Sequence, residues 1–343
     1  MNDFINMKSL IVLPFLLILV GSCYTVIDED IGSVNNYIVS ATLTDIDTLH
    51  TVHISQLDEM GEQSSVTDAT VFIEDDQGSV YSFNYFVNGS YVYQGFFPID
   101  SKYKLTIELE GDIIRSDWQS FASGGEMDSL AFGLSELLFV DDGGQQQSIE
   151  QVEFFLNFKT SEKYYALLDY QGIYEIISIP VEGRTEPPPI CWITELSFNY
   201  LNPLIIQPKG PATVLRTDRL DTKFRKYNLF VEQYVINEQS FLYWDKQNRL
   251  RLLAGNIFDP IPFSSDGNLL SERNEQAVLG YFSLARYTRK QYVFGLNDLP
   301  FDPGFSNCEL DFIADGSATS VCRDCRLLEF SADKPPLNWV EPD

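Results

Sequence analysis

The sequence predicts a mainly β protein, with an N-terminal immunoglobulin-like β-sandwich followed by a second β-rich domain that contains one helix. Short runs of alternating apolar and polar residues, separated by turn residues, recur over 37–122. Alternation resumes in 123–343 and changes to helical spacing in one stretch near 229–246. With 44% hydrophobic and 14% aromatic residues, the chain has enough apolar side chains for two cores.

The chain begins with an apolar stretch that ends at a cysteine. Residues 10–20 follow a single lysine and are too few to cross a bilayer, which needs roughly 20 apolar residues. The sequence VGSC that follows resembles a bacterial lipobox, in which the cysteine is acylated after cleavage. We therefore predict a lipoprotein signal peptide over 1–22 and a lipid anchor on Cys23. A simple signal peptide with an incidental cysteine is the alternative.

A short tether, residues 23–36, follows the cysteine and carries an acidic cluster. Asp28, Glu29 and Asp30 resemble the surface-export signal of Bacteroidota lipoproteins, and an ordinary charged tether is the alternative. The formal net charge of −27 argues against nucleic acid as a partner and against electrostatic binding to anionic lipid. We expect attachment to the outer membrane through lipid, with the protein facing the cell exterior.

The strands of the first domain are indicated by their alternation. In ATVFIEDDQGSVYSFN two alternating runs flank a polar turn with glycine, which predicts a hairpin. In KYKLTIELEG, Tyr103, Leu105, Ile107 and Leu109 face one way and polar residues face the other, which predicts a half-buried strand.

The second domain begins with VEFFLNFK, YYALL and YEIISI, which continue the β pattern. Val231, Tyr234, Val235, Phe241 and Leu242 then recur at helical spacing and predict the helix near 229–246. The region 185–225 mixes prolines with apolar runs, and a long loop over the second domain is one interpretation.

Four cysteines besides Cys23 lie late in the chain. An exported protein folds in an oxidising compartment, so an even number of cysteines favours two disulfides over a zinc site or a redox pair. Cysteines as close as those of C-R-D-C rarely bridge each other in a structural role. We therefore expect each to pair with a distant partner and to pin an extended C-terminal tail. The candidates are Cys191, Cys308, Cys322 and Cys325.

Motifs that would assign a reaction are missing from the sequence. There are only two histidines, His50 and His53, three residues apart on a predicted strand, where they face opposite sides and are expected at the surface or a strand edge. No G-x-S-x-G, H-E-x-x-H, P-loop, G-x-G-x-x-G or EF-hand pattern is present. We expect no catalytic residue, no cofactor and no metal. A converging carboxylate pair is the one route to a hydrolase that the sequence leaves open.

Aromatic residues crowd one short region, residues 81–97. Two pairs are adjacent, and alternation cannot bury both members of such a pair in one core, so some of them are expected at a surface or interface. A large aromatic core with a domain interface is the alternative. The possible binding aromatics are Tyr85, Phe86, Phe96 and Phe97.

Several segments together carry a family resemblance. They are ATVFIEDDQGSVYSF, NGSYVY, KYKLTIELEG, KYYALL, GNIF, VLGYFS and the terminal C-R-D-C followed by KPPLNW. In order and spacing they resemble a Bacteroidota outer-membrane lipoprotein family, domain of unknown function 4249. The resemblance implies a surface role beside a TonB-dependent receptor barrel and assigns no reaction.

The leading functional hypothesis is a non-enzymatic binding or accessory component of a TonB-dependent receptor system, active in ligand capture, hand-over or gating. A structural or adhesive surface lipoprotein without a transport partner is the second hypothesis. A surface hydrolase is the third. The ligand stays open.

Overall fold

One large mixed β-sheet dominates the computed structural model. The structure describes residues 35–58, 62–109, 111–140, 143–178, 189–194, 202–208, 213–216, 224–253, 267–273, 275–295, 324–327 and 330–340. The strands are β1 Asn35–Thr44, β2 Thr48–Leu57, β3 Gln63–Ser65, β4 Thr70–Asp75, β5 Val80–Val87, β6 Ser90–Gly95, β7 Lys102–Leu109, β8 Asp112–Ser116, β9 Gln119–Ser120, β10 Glu126–Val140, β11 Gln146–Lys159, β12 Tyr164–Ile177, β13 Ile190–Thr194, β14 Asn202–Ile206, β15 Thr213–Arg216, β16 Phe224–Ile236, β17 Leu269–Ser271, β18 Val278–Gly295 and β19 Ser331–Ala332. The helix α1 spans Glu238–Leu253, and a short 3-10 helix spans Cys325–Leu327.

Sixteen of the described strands join in one sheet. Its main path runs β17-β8-β7-β4-β5-β6-β2-β1-β18-β16-β12-β13-β19, while β3, β9 and β14 pair beside it. A separate three-stranded sheet has the order β10-β11-β15. The predicted mainly β class is confirmed.

The N-terminal strands pack as a sandwich. β5 pairs with β4 through residues 80–83 and with β6 through residues 84–87, so it belongs to both layers. Side chains from β1 and β2 share one buried cluster with side chains from β4 and β7. The alternation of KYKLTIELEG predicted a strand with one buried face, and on β7 the side chains of Tyr103, Leu105 and Ile107 are fully buried. Sandwich packing therefore follows from period-2 burial on both layers.

The turn between β5 and β6 requires glycine at position 89. Asn88 has φ 49° and Gly89 has φ 76°, as the two central residues of a type I′ hairpin turn require. The turn packs against β2, because the Ile54 amide donates to the Gly89 carbonyl oxygen at 2.8 Å. A Cβ on Gly89 would lie 2.3 Å from the Ile54 carbonyl oxygen. Only glycine fits this approach without a shift.

β18 connects the early and late parts of the chain. Residues 278–285 pair in parallel with β1, and residues 286–295 pair antiparallel with β16. Phe282 and Leu284 are fully buried in the same cluster as the N-terminal sandwich. Residues 35–343 accordingly group into one compact unit. The domain boundary near residue 122 stays a prediction, and the sheet is continuous across it.

The helix lies further along the chain than the spacing predicted. Residues 229–236 belong to β16, and α1 begins at Glu238. Asn237 caps it, because its Oδ1 accepts from the Ser240 amide at 2.8 Å. Val231 and Val235 are buried on one face of β16, and Phe230 and Ile236 are buried on the other. Burial on both faces removed the alternation that would have indicated a strand, so the prediction of helix over 229–236 is wrong.

The C-terminal residues return to the sheet. β19 pairs with β13 at the edge, and the neighbouring Cys325 forms a disulfide with Cys191 on β13, with a Cα–Cα distance of 6.0 Å. Both cysteines are buried. This disulfide confirms that one cysteine of C-R-D-C pairs with a distant one. Cys308 and Cys322 lie outside the described residues. Within the part that the structure describes, no helix has the length and apolar character to cross a membrane.

Candidate functional site

A groove crosses one face of the sheet where β12, β16 and β18 lie side by side. Strand register places Leu167, Tyr234 and Tyr287 in one row and Asp169, Glu232 and Arg289 in the next. The following row holds Gln171, Phe230 and Gln291. Successive rows are two residues apart along each strand, and side chains two residues apart on a strand point to the same side, so all of these positions share one face.

Helix α1 covers one end of this face. Phe241 packs with Leu167, Ile236 and Ala285 in a buried cluster. Its ring lies 4.9 Å from the ring of Tyr165. The first turn of the helix therefore shields the row that contains Leu167.

The C-terminal tail, residues 331–340, covers the other end. The Val340 carbonyl oxygen accepts from Asn228 Nδ2 at 2.9 Å, and Asn228 Oδ1 accepts from Gln291 Nε2 at 2.6 Å. The Trp339 ring lies 6.3 Å from that of Trp192, in an edge-to-face arrangement. Between helix and tail a cavity of about 200 Å³ remains open, with polar side chains on its floor.

The charged row forms that floor. Arg289 Nε lies 3.5 Å from Glu232 Oε1, and the Tyr234 hydroxyl donates to Glu232 Oε2 at 2.9 Å. The Arg289 guanidinium stacks 4.6 Å from the centre of the Phe230 ring, a favourable cation–π contact. Glu232 is thus held by a cation on one oxygen and by a hydroxyl on the other.

Three groups in and beside this row have raised pKa values: Asp169, Tyr234 and Tyr287. Burial raises the pKa of the Asp169 carboxyl; the hydrogen bond from the Tyr170 amide opposes this rise, and the charge of Glu232 adds to it. Burial, and then the charge of Glu232, raise the pKa of the Tyr234 phenol. Burial and the hydrogen bond with Glu232 do the same for Tyr287. Both phenols stay protonated at neutral pH, so they act as hydrogen-bond donors.

This arrangement suits ligand binding. It combines two carboxylates, one guanidinium and neutral donors on rigid strands, and perturbed groups in a concave site are typical of functional positions. Among the described residues, no group of three or more histidine, cysteine, aspartate or glutamate side chains is placed to hold a metal ion.

A family model described as a domain of unknown function (DUF4249) matches residues 24–291. The chain belongs to the DUF4249 family. Searches of curated proteins and of solved structures found no match. The DUF4249 match includes the three residues of the charged row, whereas the tail that borders the groove and Cys325 lie beyond it.

The aromatic residues predicted for binding divide between surface and core. Tyr85, Phe86 and Phe96 are exposed, Phe86 by 66%. A register shift between Tyr85 and Val87 explains why neighbouring side chains on β5 both reach solvent. Phe97 is fully buried, 4.9 Å from the ring of Tyr81, so its prediction as a binding residue is wrong. Adjacency required one exposed member of the Phe96–Phe97 pair, and it is Phe96.

The two histidines lie on opposite faces of β2, as expected, but His50 is not at the surface. Its Nε2 lies 3.0 Å from the Gly95 carbonyl oxygen, and its ring lies 4.8 Å from that of Phe97. Burial lowers the pKa of His50. The expectation of a surface or strand-edge position is therefore wrong for His50, which faces the same core as Val52 and Ile54. The proposed lipidation site Cys23 and the acidic residues Asp28, Glu29 and Asp30 lie outside the described residues.

The groove itself was missed by sequence reasoning. Its signal is an acidic residue inside an apolar strand, Asp169 in YYALLDYQG and Glu232 in FVEQYVI. Charged residues are rarely buried without a partner, so each position marks a site where strand neighbours matter. Only the register of three strands distant in sequence shows that these two carboxylates face each other.

Proposed function

We propose that this DUF4249 protein is a non-enzymatic binding component of the outer membrane of a member of the Bacteroidota. It is anchored by lipid on Cys23, faces the cell exterior and works beside a TonB-dependent receptor barrel in ligand capture, hand-over or gating. The lipobox-like VGSC and the acidic tether support the location. The resemblance of several segments to an outer-membrane lipoprotein family supports the setting.

The observation that carries the binding role is the charged row in the groove. A preformed cavity on rigid strands, with Asp169, Glu232 and Arg289 on its floor, supports a ligand-binding role. The exposed Tyr85 and Phe86 supply a separate apolar surface suited to a protein partner.

The first experiment is purification of the intact lipoprotein from outer membranes in mild detergent, with partners identified by mass spectrometry. We expect a TonB-dependent barrel in stoichiometric amount. Recovery of the protein alone would contradict the accessory role and favour a structural or adhesive lipoprotein.

The anchor is tested separately. Cys23→Ala should release the protein from membranes and abolish incorporation of radiolabelled palmitate. The matched control is Cys308→Ala, which leaves the lipobox intact and should keep both. Continued labelling of the Cys23→Ala protein would show that the lipobox assignment is wrong.

Hydrolysis of a glycosidic bond is the second candidate function. Asp169 lies opposite Glu232 in register, and burial raises the pKa of the Asp169 carboxyl, as expected of a general acid beside a second carboxylate. The cavity of about 200 Å³ is smaller than the usual ligand pocket of about 300–1,000 Å³, which favours binding of one small group. Turnover of 4-nitrophenyl glycosides that Asp169→Asn abolishes would overturn the non-enzymatic proposal.

A further inference from the structure

The two carboxylates of the groove differ in how their charge is balanced. Glu232 has the Arg289 guanidinium and the Tyr234 hydroxyl. Asp169 accepts one hydrogen bond, from the amide of its own neighbour Tyr170 at 2.8 Å. Among the described residues no lysine or arginine forms an ion pair with Asp169.

Arg289 forms its ion pair with Glu232, the nearer of the two carboxylates. Glu232 lies between the two residues in the row, and strands are about 4.8 Å apart, so Asp169 and Arg289 are separated by two strand spacings, about 10 Å at the backbone. Arg289 is also fixed over the Phe230 ring. Asp169 is therefore a partly buried carboxylate beside a second negative charge, in an open cavity.

We propose that this groove binds a cationic nitrogen, a primary ammonium or a guanidinium, in contact with Asp169. The inference rests on the proposed binding function and names the class of ligand. A cation there offsets the desolvation of Asp169 and the repulsion from Glu232 together. Gln171 on the same strand also lines the cavity, and its side-chain amide supplies a second acceptor oxygen for the same nitrogen in this proposal.

Size and charge favour a slim cationic group. The cavity admits one alkylammonium or guanidinium head rather than a large ligand. The net charge of −27 attracts cations to the whole molecule, and the groove adds a local preference. The nitrogen can belong to a free amine or to a lysine or arginine side chain of a protein partner; the chemistry recognised at Asp169 is the same.

The test is isothermal titration calorimetry at fixed ionic strength. The full chain carrying Cys23→Ala is titrated with n-butylammonium and, separately, with methylguanidinium. The neutral isostere n-butanol is titrated in parallel. We expect saturable binding of a cation, no binding of the alcohol, and an affinity lowered about tenfold or more by Asp169→Asn. The matched control, Asp100→Asn, removes an exposed acid from a loop and should leave affinity unchanged.

Folding of the variant is measured alongside. Asp169→Asn removes an unpaired, half-buried charge, so the unliganded variant should unfold at the same temperature as the parent or higher. A loss of binding with an unchanged unfolding temperature supports direct contact. Equal binding to the parent and to Asp169→Asn, equal binding of n-butanol, or no binding of either cation would overturn the proposal.

Two further arms distinguish the source of the cation and separate this inference from the proposed function. N-acetyl-lysine methylamide binding more tightly than n-butylammonium indicates a lysine of a protein partner, and the reverse order indicates a free amine. Cation binding without a barrel in the purification would support the site and contradict the accessory role. A neutral molecule found in the groove would keep the binding function and overturn the cation assignment.

Discussion

Removal of the disulfide between Cys191 and Cys325 should cost the protein a large share of its stability. The two cysteines are 134 residues apart in sequence, and the bond ties the edge strand β13 to the residues that precede β19. The variant is Cys191→Ala/Cys325→Ala, which leaves no new thiol behind. Its expected effect is on the free energy of unfolding and on the C-terminal tail.

The magnitude follows from loop length. In the chain-entropy relation a cross-link that closes a loop of 134 residues restricts the unfolded chain by about 5 kcal/mol. Measured losses for native disulfides are commonly about 2–5 kcal/mol. Both sulfurs are buried in a core cluster, so their removal also leaves a cavity. We expect a loss of about 3–5 kcal/mol, against a total stability of roughly 5–15 kcal/mol for a folded domain.

Urea denaturation followed by tryptophan fluorescence measures the loss. Trp192 on β13 and Trp339 in the tail lie next to each other, so their emission reports on this region. Hydrogen exchange of the amides of residues 331–340 measures whether the tail is released. The matched control, Leu327→Ala/Leu337→Ala, alters exposed side chains near the bond and in the tail and should change neither readout.

A midpoint shift worth less than about 1 kcal/mol, with unchanged exchange in the tail, would refute the reasoning. It would mean that sheet pairing and packing alone hold the C-terminal residues in place. A shift of the expected size with unchanged exchange would show that the bond acts on the unfolded chain alone.

Three other perturbations are predicted. Lowering the pH below 6.5 should reduce the unfolding temperature, because burial lowers the pKa of His50 in the folded state and the unfolded chain therefore takes up the proton first. His50→Phe should make the unfolding temperature less dependent on pH in this range. The same pH dependence in the variant and the parent would contradict the assignment. Gly89→Ala should cost about 2 kcal/mol or more in urea denaturation, whereas the control Gly78→Ala, also at positive φ but with open space around its Cβ, should cost about 1; equal costs would show that the Ile54 contact is relieved. Asn237→Ala should cost about 1–2 kcal/mol, because it removes the helix cap and the hydrogen bond that Asn237 Nδ2 donates to Gln119 Oε1. Asn237→Ser should restore the part due to the cap, and circular dichroism of the helix that responds equally to both variants would argue against capping.

The strands that the sequence predicts well are those with one buried face. KYKLTIELEG shows this, since its alternation follows the burial of β7. β16 was not predicted as a strand because both of its faces are buried. Helix α1 covers part of one face, and a cluster of core side chains covers the other. The alternation disappears, and Val231, Tyr234 and Val235 mimic a helical stripe.

The groove could not be predicted because its parts are brought together by pairing between distant strands. Asp169, Glu232 and Arg289 are each ordinary in the sequence, and their row exists only in the register of β12, β16 and β18. The exposed aromatics were predictable in part, since adjacency required that one of Phe96 and Phe97 be exposed. Which one is buried depends on where the chain leaves β6.

The position of β18 sets the order in which the protein can fold. Thr42 and Ser283 are hydrogen-bonded although 241 residues separate them, and Phe282 fills the core built by the first strands. A nascent chain that contains only β1 to β8 therefore lacks the core side chains that β18 supplies. We expect it to stay open until residue 285 has emerged, and long-range closure of this kind is slow. The proposed export would benefit from such a delay, because a chain that crosses a membrane in an unfolded form must not fold before most of it has crossed.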